Sequence, residues 1–458
     1  MKNIKSVFVF WVGIAFPMVS SLAFAAQYTF VPRLVVNSYY TDNVDLTSTD
    51  EESDIVTSVI PGFTAGVTGR TAGIDLTFNP GYTFYANNSD RDYWRFNADL
   101  SSFLDITQHT KITVADNYYL TQDPNPEFIT TAVREDQPDV IVDPTIRQGR
   151  DKWWRNSFRA RVEQQLDVDS SMYVGYQNSI LRNDSPQYEN NNNNAGTAGL
   201  TYFFGPKWGA QLDGNYRRVT YDQSNDYTGI PSSDFNVWGG TARLIRRFSR
   251  VVEGYAQYAY SQLDYTSGTI ISSPPGSATI VLNEDYAIHD VRVGMEYNLA
   301  EDMLIAANAG WALKVNDVTD NQDGFVGELA FRKTLPRGGY RLEAGAGYNF
   351  GSNNATNYGF ERYYRAGFTG DYQFLRRLYG DLYGAYRHTK YIDTIPERTV
   401  DYYTAGAGLT WQPYRWGSAR LGYSFRSAYS GLETEEYTEN RIFLTLSLST
   451  ELPYRALY

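Results

Sequence analysis

Strand-length segments with a strict alternation of side chains recur along the chain, and this repetition restricts the fold more than any other feature. The stretch GGYRLEAGAGYNF, residues 338–350, shows the alternation clearly. Its polar set includes Arg341, Glu343 and Asn349. Its apolar set comprises Tyr340, Leu342, Ala344, Ala346, Tyr348 and Phe350. Because successive side chains of a β-strand point to opposite faces, each such segment predicts a strand with one apolar and one polar face.

Two kinds of connection separate these segments. The first kind is short and often basic or rich in Gly and Pro: Gly69–Thr71, Thr107–His109, Asp167–Asp169, Gly205–Lys207, Phe248–Arg250, Asn298–Asp302, Pro336–Gly338, Leu375–Arg377 and Gln412–Arg415. The second kind is longer and more polar: Thr41–Asp54, Thr121–Asp151, Asn183–Asn194, Tyr221–Ser233, Tyr265–Glu284, Asp317–Asp323, Gly351–Asn357, Lys390–Glu397 and Tyr429–Glu436. Regular alternation of the two kinds is typical of outer-membrane barrels, which have short periplasmic turns and long extracellular loops.

We therefore predict an all-β fold, a single antiparallel up-and-down transmembrane β-barrel of about 20 strands, within a range of roughly 18–22. A soluble sandwich would need two buried inner faces and many differentiated connections, whereas here each hairpin follows the last. Closure also removes unpaired strand edges, as a bilayer requires. All six apolar residues of segment 338–350 should then face lipid, and the polar sets should line the lumen. The last strand, RIFLTLSLST, is expected to stop near Thr450 and leave a short tail.

The first 25 residues have the three parts of a secretory signal peptide. Lys2 and Lys5 precede an apolar core, and Ala23-Phe24-Ala25 forms a small-x-small cleavage site. We expect residues 1–25 to be a signal peptide cleaved near Ala25 and residues 26–458 to form the barrel in the outer membrane of a Gram-negative bacterium. The partners expected there are outer-membrane lipid and the barrel-assembly machinery.

Composition excludes several classes of function. The formal net charge is −12 and there is no basic tract, which argues against a nucleic-acid partner. The absence of cysteine excludes disulfides, a Cys-ligated zinc and a thiol nucleophile. Tyrosine is very abundant, with 39 residues, as the interfacial aromatic girdles of a membrane barrel require. No sequence motif indicates a cofactor.

Three stretches near the N-terminus resemble a known family. They are TDN at Thr41–Asn43, SDIVTSVIPGF at Ser53–Phe63 and YANNSDRDYWRFNADLS at Tyr85–Ser101. This pattern is similar to that of the β-barrel porins associated with exopolysaccharide and PEP-CTERM/exosortase gene clusters. The resemblance implies an outer-membrane barrel that exports or retains polysaccharide, with polysaccharide and periplasmic export components as further partners. It implies no catalytic or binding residue.

Charged residues on the polar sets are the best candidates for function. The alternation predicts these pore-lining positions: Arg155, Arg159, Arg161, Arg217, Glu328, Arg332, Arg341, Glu343, Arg365, Asp371, Asp381, Arg387, Arg420 and Arg426. A ring of one sign would select ions. This set mixes signs, so we expect many of its members to pair across neighbouring strands and make the wall rigid. A mixed polar lining would also suit sliding contacts with a hydrated sugar chain.

The histidines and the polar loops give weaker indications of function. His109, His289 and His388 are the only histidines, and only His388 with Asp393 offers a hydrolase-like pair, so we predict no enzyme activity. The acidic loop Thr41–Asp54 fits no calcium motif and is expected to be solvated. The run Glu189–Asn194 should form an external tip. The longest loop, Thr121–Asp151, could either fold into the lumen or remain outside.

Two functions from different classes remain open from the sequence. The first is a porin-like channel for export or passage of exopolysaccharide or another large hydrophilic solute. The alternative is a plugged structural or adhesive surface barrel without a transport role.

Overall fold

The computed structural model describes residues 26–124, 149–185, 188–222, 234–266, 269–271, 280–282, 284–300, 302–317, 319–350, 360–392, 398–431, 435–450 and 454–457. The predicted signal peptide lies outside the described residues. Within the described ranges, no helix is long and apolar enough to cross a bilayer.

Strands dominate the described residues, and a single 3-10 turn, Ser89–Arg91, joins two of them. The strands in chain order are β1 Gln27–Thr41, β2 Asp54–Thr68, β3 Ala72–Tyr85, β4 Tyr93–Asp105, β5 Thr110–Thr121, β6 Trp153–Asp167, β7 Ser170–Asn183, β8 Asn191–Phe203, β9 Trp208–Tyr221, β10 Phe235–Arg247, β11 Val252–Tyr265, β12 Thr269–Ile271, β13 Ile280–Leu282, β14 Tyr286–Ala300, β15 Met303–Asn316, β16 Gln322–Leu335, β17 Gly338–Phe350, β18 Phe360–Leu375, β19 Leu378–Tyr391, β20 Arg398–Tyr414, β21 Gly417–Ser430, β22 Tyr437–Ser449 and β23 Tyr454–Leu457.

Twenty long strands, β1–β11 and β14–β22, form one closed antiparallel barrel in which each strand pairs with its neighbours in the chain. The barrel closes where β1 pairs with β22, from Arg33 opposite Ser449 to Thr41 opposite Arg441. The separate β12–β13 hairpin belongs to the connection between β11 and β14. The predicted fold class and strand number are confirmed.

Nine short turns overlap the predicted ones, and all lie at one end of the barrel. We call this the short-turn end, and the opposite one the long-loop end. The last of these turn predictions is wrong in its bounds, because β20 continues to Tyr414 and the turn falls at residues 415–416. The predicted end of the last strand is wrong in part, because pairing resumes after Ser449. Strand β23 continues along β1, with Leu457 opposite Gln27. The N-terminal part of β1 therefore has a partner, so the barrel is closed down to the short-turn end.

The two faces of the strands differ as the alternation predicts. Leu342 is 46% exposed on the outer surface, and Leu212, Leu382 and Leu421 are similarly exposed on other strands. Aromatic residues concentrate near both ends of this outer surface. At the short-turn end the rings of Tyr414 and Trp416 stack 4.9 Å apart. Such girdles mark the levels at which a barrel meets the two membrane–water interfaces.

The hairpin tip of β17 and β18 departs from the regular wall. The β16–β17 ladder stops at Gly327 opposite Ala346, although both strands continue. Beyond that point Tyr348 donates a hydrogen bond of 3.3 Å to Asp290 on the inner face of β14. Phe360 packs against Tyr286, with ring centroids 5.6 Å apart. The tip thus lies inside the neighbouring strands, and the prediction that Tyr348 faces lipid is wrong.

The lumen is not polar throughout, because an apolar cluster fills part of its long-loop end. Its members come from the inward sets of β9–β11 and β14–β16 together with the tip of β18. They are Val219, Tyr221, Phe235, Val237, Leu263, Tyr286, Ile288, Ala312, Val326 and Phe360. Alternation alone did not reveal this cluster, because it involves only the residues nearest the long-loop end of each strand.

Residues 42–53, between β1 and β2, also turn into the lumen, and we call them the inward segment. The expectation of a solvated acidic loop is wrong for its first half, since Val44 is 0% exposed and Leu46 is 2% exposed. Val44 packs against Tyr39 and Tyr85, and Leu46 packs against a second group that includes Tyr402. These two apolar side chains hold the segment inside because they exchange water for aromatic contacts.

The asparagine run is also placed differently from the prediction. Asn191 begins β8, so most of the run belongs to a strand and not to an external tip. The Asn178 side-chain amide donates to the side-chain oxygens of Asn192 and Asn194 at 2.9 and 3.0 Å. Hydrogen bonds between side-chain amides on neighbouring strands here replace the apolar contacts that usually stabilise a strand pair.

Candidate functional site

The inner wall is the surface on which the predicted site residues lie. All fourteen predicted pore-lining positions fall on the strand face opposite the exposed apolar residues. They lie on β6, β9, β16–β19 and β21. Since these strands span more than half of the barrel, the set is a distributed lining and not a compact catalytic site.

Most of the predicted residues on β16–β21 are held in ion pairs. Arg365 donates to Glu328 at 3.2 Å. Arg420 binds both oxygens of Asp381, at 2.8 and 2.7 Å. The remaining pairs are Arg341–Glu343, Arg387–Glu361 and Arg426–Glu439. Bidentate and cross-strand pairs of this kind fix the side chains against the wall.

The wall on β6–β10 is organised differently, because aromatic rings and amides hold several of its arginines. Arg161 lies 3.8 Å from the ring centre of Tyr173 and 3.5 Å from Glu163. Arg243 donates to the Gln257 amide oxygen at 2.6 Å and lies over the ring of Tyr255. Among the described residues, Arg159 has no ion-pair partner. This side of the lumen therefore presents less neutralised positive charge.

Two further predicted residues have no ion pair within the described ranges. Arg332 lies near the short-turn end of β16, and Asp371 lies near that end of β18. Arg155 and Arg217 lie on the inward faces of β6 and β9, and Arg217 is placed over the ring of Phe235 at 5.9 Å.

Ion pairs near the short turns are exposed to solvent. Arg247 contacts Asp169 at 2.9 Å, and this hydrogen bond lowers the pKa of the Asp169 carboxyl. Lys333 contacts Asp302 at 2.6 Å and lowers the pKa of Asp302 in the same way. Pairs this accessible to water contribute little to folding.

The histidines do not form a hydrolase-like site in the described residues. His109 lies in a short turn, and His289 contacts the hydroxyl of Tyr258 at 2.8 Å on the outer surface. His388 contacts Asp401 at 2.9 Å, and Tyr386 donates to the same carboxylate at 2.7 Å. Asp393, the predicted partner of His388, lies outside the described residues. No group of metal-ligating side chains occurs in the described ranges.

A second charged group, of which the sequence analysis predicted only Arg426, lies beneath the inward segment. Glu439 binds Arg426 and Arg441, and Thr41 donates to it at 2.8 Å. Both Arg426 and Glu439 have side chains that are 0% exposed. The alternation TENRIFL could have located Glu439 and Arg441, since they alternate with the outward-facing Ile442 and Leu444.

The stems of the longest loop reach the same place. Asp123, just after β5, and Arg150, just before β6, are both buried. Arg150 donates to the Val44 carbonyl at 2.6 Å, and the Gly149 amide donates to the Asp45 carbonyl at 2.8 Å. These described stems point into the lumen, while residues 125–148 lie outside the described residues. The stems and the inward segment therefore pack against each other at this side of the long-loop end.

Sequence comparison identifies the family to which this wall belongs. Residues 25–270 match the model of the family described as "Putative beta-barrel porin 2". The chain belongs to this porin family. The match spans the first eleven strands of the porin, including the inward segment and the arginines of β6–β10. No curated protein matches the chain.

Three solved outer-membrane proteins illustrate the similarity of this porin to known structures, each at low sequence identity. The siderophore receptor PirA from Acinetobacter baumannii is 9% identical, with a TM-score of 0.48, 92% coverage of this chain and 80% of the receptor. The ferric-catecholate import receptor Fiu from E. coli K12 is 10% identical, with a TM-score of 0.48 and coverages of 91% and 81%. OpdK from Pseudomonas aeruginosa is 13% identical, with a TM-score of 0.41 and coverages of 92% and 99%. Such low identities and TM-scores say nothing about what this porin transports.

Proposed function

We propose that this porin is an outer-membrane channel for a large hydrophilic solute, and that the inward segment keeps it closed at the long-loop end. The observation that carries the proposal is the closed 20-strand barrel whose inner face carries charged and tyrosine side chains along its length. A wall of this kind can exchange hydrogen bonds with a hydrated solute without desolvating it fully.

Exopolysaccharide is the solute class we propose. Its support is the resemblance of the N-terminal stretches to exopolysaccharide-associated porins and the nature of the lining. Tyrosines such as Tyr363 and Tyr383 lie on the inward face between arginines. Aromatic faces can stack on the apolar faces of sugar rings while their hydroxyls and the arginines bind sugar oxygens.

A test of this proposal is the uptake of size-graded oligosaccharides by proteoliposomes containing the full barrel. The Val44→Asp/Leu46→Asp double variant should release the inward segment, because carboxylates cannot remain in the aromatic contacts of Val44 and Leu46. We expect uptake to rise several-fold over the parent barrel. Glu51→Gln, an exposed change in the same segment, serves as the matched control and should leave uptake unchanged.

The alternative is a structural or adhesive surface barrel with a filled lumen. The inward segment and the apolar cluster are the observations that favour it, since both occupy the long-loop end. Under this alternative the double variant takes up no oligosaccharide. Deleting the protein from cells would then alter surface attachment while polymer export remains normal.

A further inference from the structure

Among the described residues, four buried arginines and two buried carboxylates lie together beneath the inward segment. We call this group the arginine cluster. Each member is less than one-tenth exposed: Arg95, Arg150, Arg426, Arg441, Asp123 and Glu439. At neutral pH the cluster carries two more positive than negative charges. Uncompensated buried charge is strongly unfavourable, so this excess requires an explanation.

Part of the hydrogen-bonding capacity of the cluster is used. Glu439 is bound by Arg426, Arg441 and Thr41. Arg95 donates to the hydroxyl of Tyr119 at 3.4 Å. The Nε atom of Arg150 donates to the carbonyl of Val44. These contacts anchor the guanidinium groups but leave part of their donor capacity unused.

The unused donors belong to Arg150 and Arg441. Among the described residues, Nη1 and Nη2 of Arg150 and Nη2 of Arg441 have no hydrogen-bond partner. The Asp123 carboxylate lies 3.6 Å from Arg150 Nη1 and 3.9 Å from Arg441 Nη2. Both distances exceed the range of a hydrogen bond. Arg150, just before β6, and Arg441, on β22, thus both have unused donors near Asp123.

We propose that the arginine cluster is a binding site for the carboxylate of an acidic sugar. A guanidinium presents its donors in a planar fork that matches two carboxylate oxygens. The inference rests on the proposed function and deepens it, because it names acidic saccharide as the solute class. It also accounts for a basic site in a chain whose net charge is −12.

Tyrosines around the cluster favour a sugar acid over an inorganic anion. The ring of Tyr39 lies 4.7 Å from the Arg441 guanidinium, and the ring of Tyr85 lies 6.0 Å from that of Arg150. The hydroxyl of Tyr85 is buried without a hydrogen-bond partner in the described residues. It can donate to a sugar hydroxyl, while the rings cover apolar sugar faces. Phosphate, as a dianion, would lose more hydration on entering this aromatic surrounding.

Access to the cluster from the long-loop end depends on the inward segment. Val44 lies over the cluster, and its carbonyl is held by Arg150. An acidic sugar that enters from the long-loop end can therefore reach Arg150 only after this segment moves. Sugar binding and movement of the inward segment are therefore coupled through the side chain of Arg150.

The test is titration of the full-length barrel in detergent with D-galacturonate, followed by fluorescence. Trp153 is a reporter inside the site, because its indole nitrogen donates to the Asp123 carbonyl at 3.1 Å. We expect a saturable change that Trp153→Phe abolishes, and no change with galactose. Isothermal titration calorimetry of the Trp153→Phe barrel should still detect binding.

Variants separate the site from the rest of the wall. Arg150→Gln and Arg441→Gln should each weaken binding by about tenfold or more, as expected for loss of charge-assisted hydrogen bonds. Arg150→Lys keeps the positive charge but loses the planar pair of guanidinium donors. This variant should therefore fold, yet bind galacturonate more weakly than the parent barrel does. Arg70→Gln removes an exposed arginine in a short turn, away from the lumen wall, and should leave binding unchanged. Folding of each variant is verified by heat-modifiable mobility in gel electrophoresis.

Three outcomes would overturn the inference. They are no saturable response to galacturonate, equal responses to inorganic phosphate or chloride, and unchanged binding in the Arg150 and Arg441 variants. Binding in detergent does not require an open pore. A barrel that takes up oligosaccharide without binding galacturonate contradicts only this inference, whereas one that binds but never transports contradicts only the proposed channel.

Discussion

The two ends of the barrel use the same interactions in different surroundings. At the long-loop end, Arg426 and Glu439 form an ion pair that is fully buried beneath the inward segment. At the short-turn end, Lys333 and Asp302 form a pair of 2.6 Å that remains partly exposed. In the buried pair, a charge that loses its partner cannot be hydrated, so the loss is costly. In the exposed pair, water solvates a charge that loses its partner, so the loss costs little. The difference indicates that the charges at the long-loop end are shielded from water, whereas those at the short-turn end are in contact with it.

Removing one carboxylate from each end gives the largest expected contrast. Glu439→Gln leaves Arg426 and Arg441 without their shared counter-charge and should lower the free energy of unfolding by roughly 3–5 kcal/mol. Asp302→Asn removes an exposed partner of Lys333 and should cause no measurable loss. Urea unfolding of both variants in phospholipid vesicles checks this. Equal losses would show that the two ends are equally solvated.

A second contrast compares two phenylalanines of the same strand. Phe360 packs in the apolar cluster, while Phe374 is 50% exposed near the short turns. Phe360→Ala should destabilise the barrel by roughly 3 kcal/mol, because it leaves a cavity in a packed group. Phe374→Ala should have a clearly smaller effect. If both changes cost the same, the hairpin tip does not pack inside the wall.

Phe360→Ala should also release the hairpin tip from the inner face of β14. Hydrogen exchange of the amides in residues 347–350 and 360–362 should then accelerate relative to the rest of β17 and β18. Unchanged protection in these residues would argue that backbone pairing alone fixes the tip.

The smallest expected effect is a pH dependence at the short-turn end. The hydrogen bond from Arg247 lowers the pKa of Asp169 below its ordinary value of 3.8. A lowered pKa in the folded state means that the contribution is present above about pH 3.8 and is lost as pH falls through the lowered value. Asp169→Asn should remove this dependence, which acid titration of barrel stability can measure. An unchanged acid profile in that variant would assign the dependence to other carboxylates.

The fold followed from the sequence because its signals are local. Alternation in each strand and the residues of each short turn act over a few positions, and an even number of strands allows the first and last to pair antiparallel. Leu342 and Arg341 were assigned to the correct faces by this alternation alone. The fourteen candidate positions on the polar faces came from the same rule.

The long-loop end did not follow from the sequence because its structure depends on distant contacts. Val44 and Leu46 are two apolar residues in an acidic loop, and only Tyr85 and Tyr402 on other strands explain their burial. Tyr348 has the alternation of a lipid-facing residue, but the β16–β17 ladder ends before it. Asp123 and Arg150 lie beside strands in a long loop, where no periodicity indicates direction.

The most direct test of a channel closed by the inward segment is ionic conductance across a planar bilayer. The parent barrel and the Glu51→Gln control should conduct little, and Val44→Asp/Leu46→Asp should open a conductance at least several-fold larger. Two results would contradict this account. One is a parent barrel that already conducts as well as the double variant, and the other is a folded double variant that does not conduct.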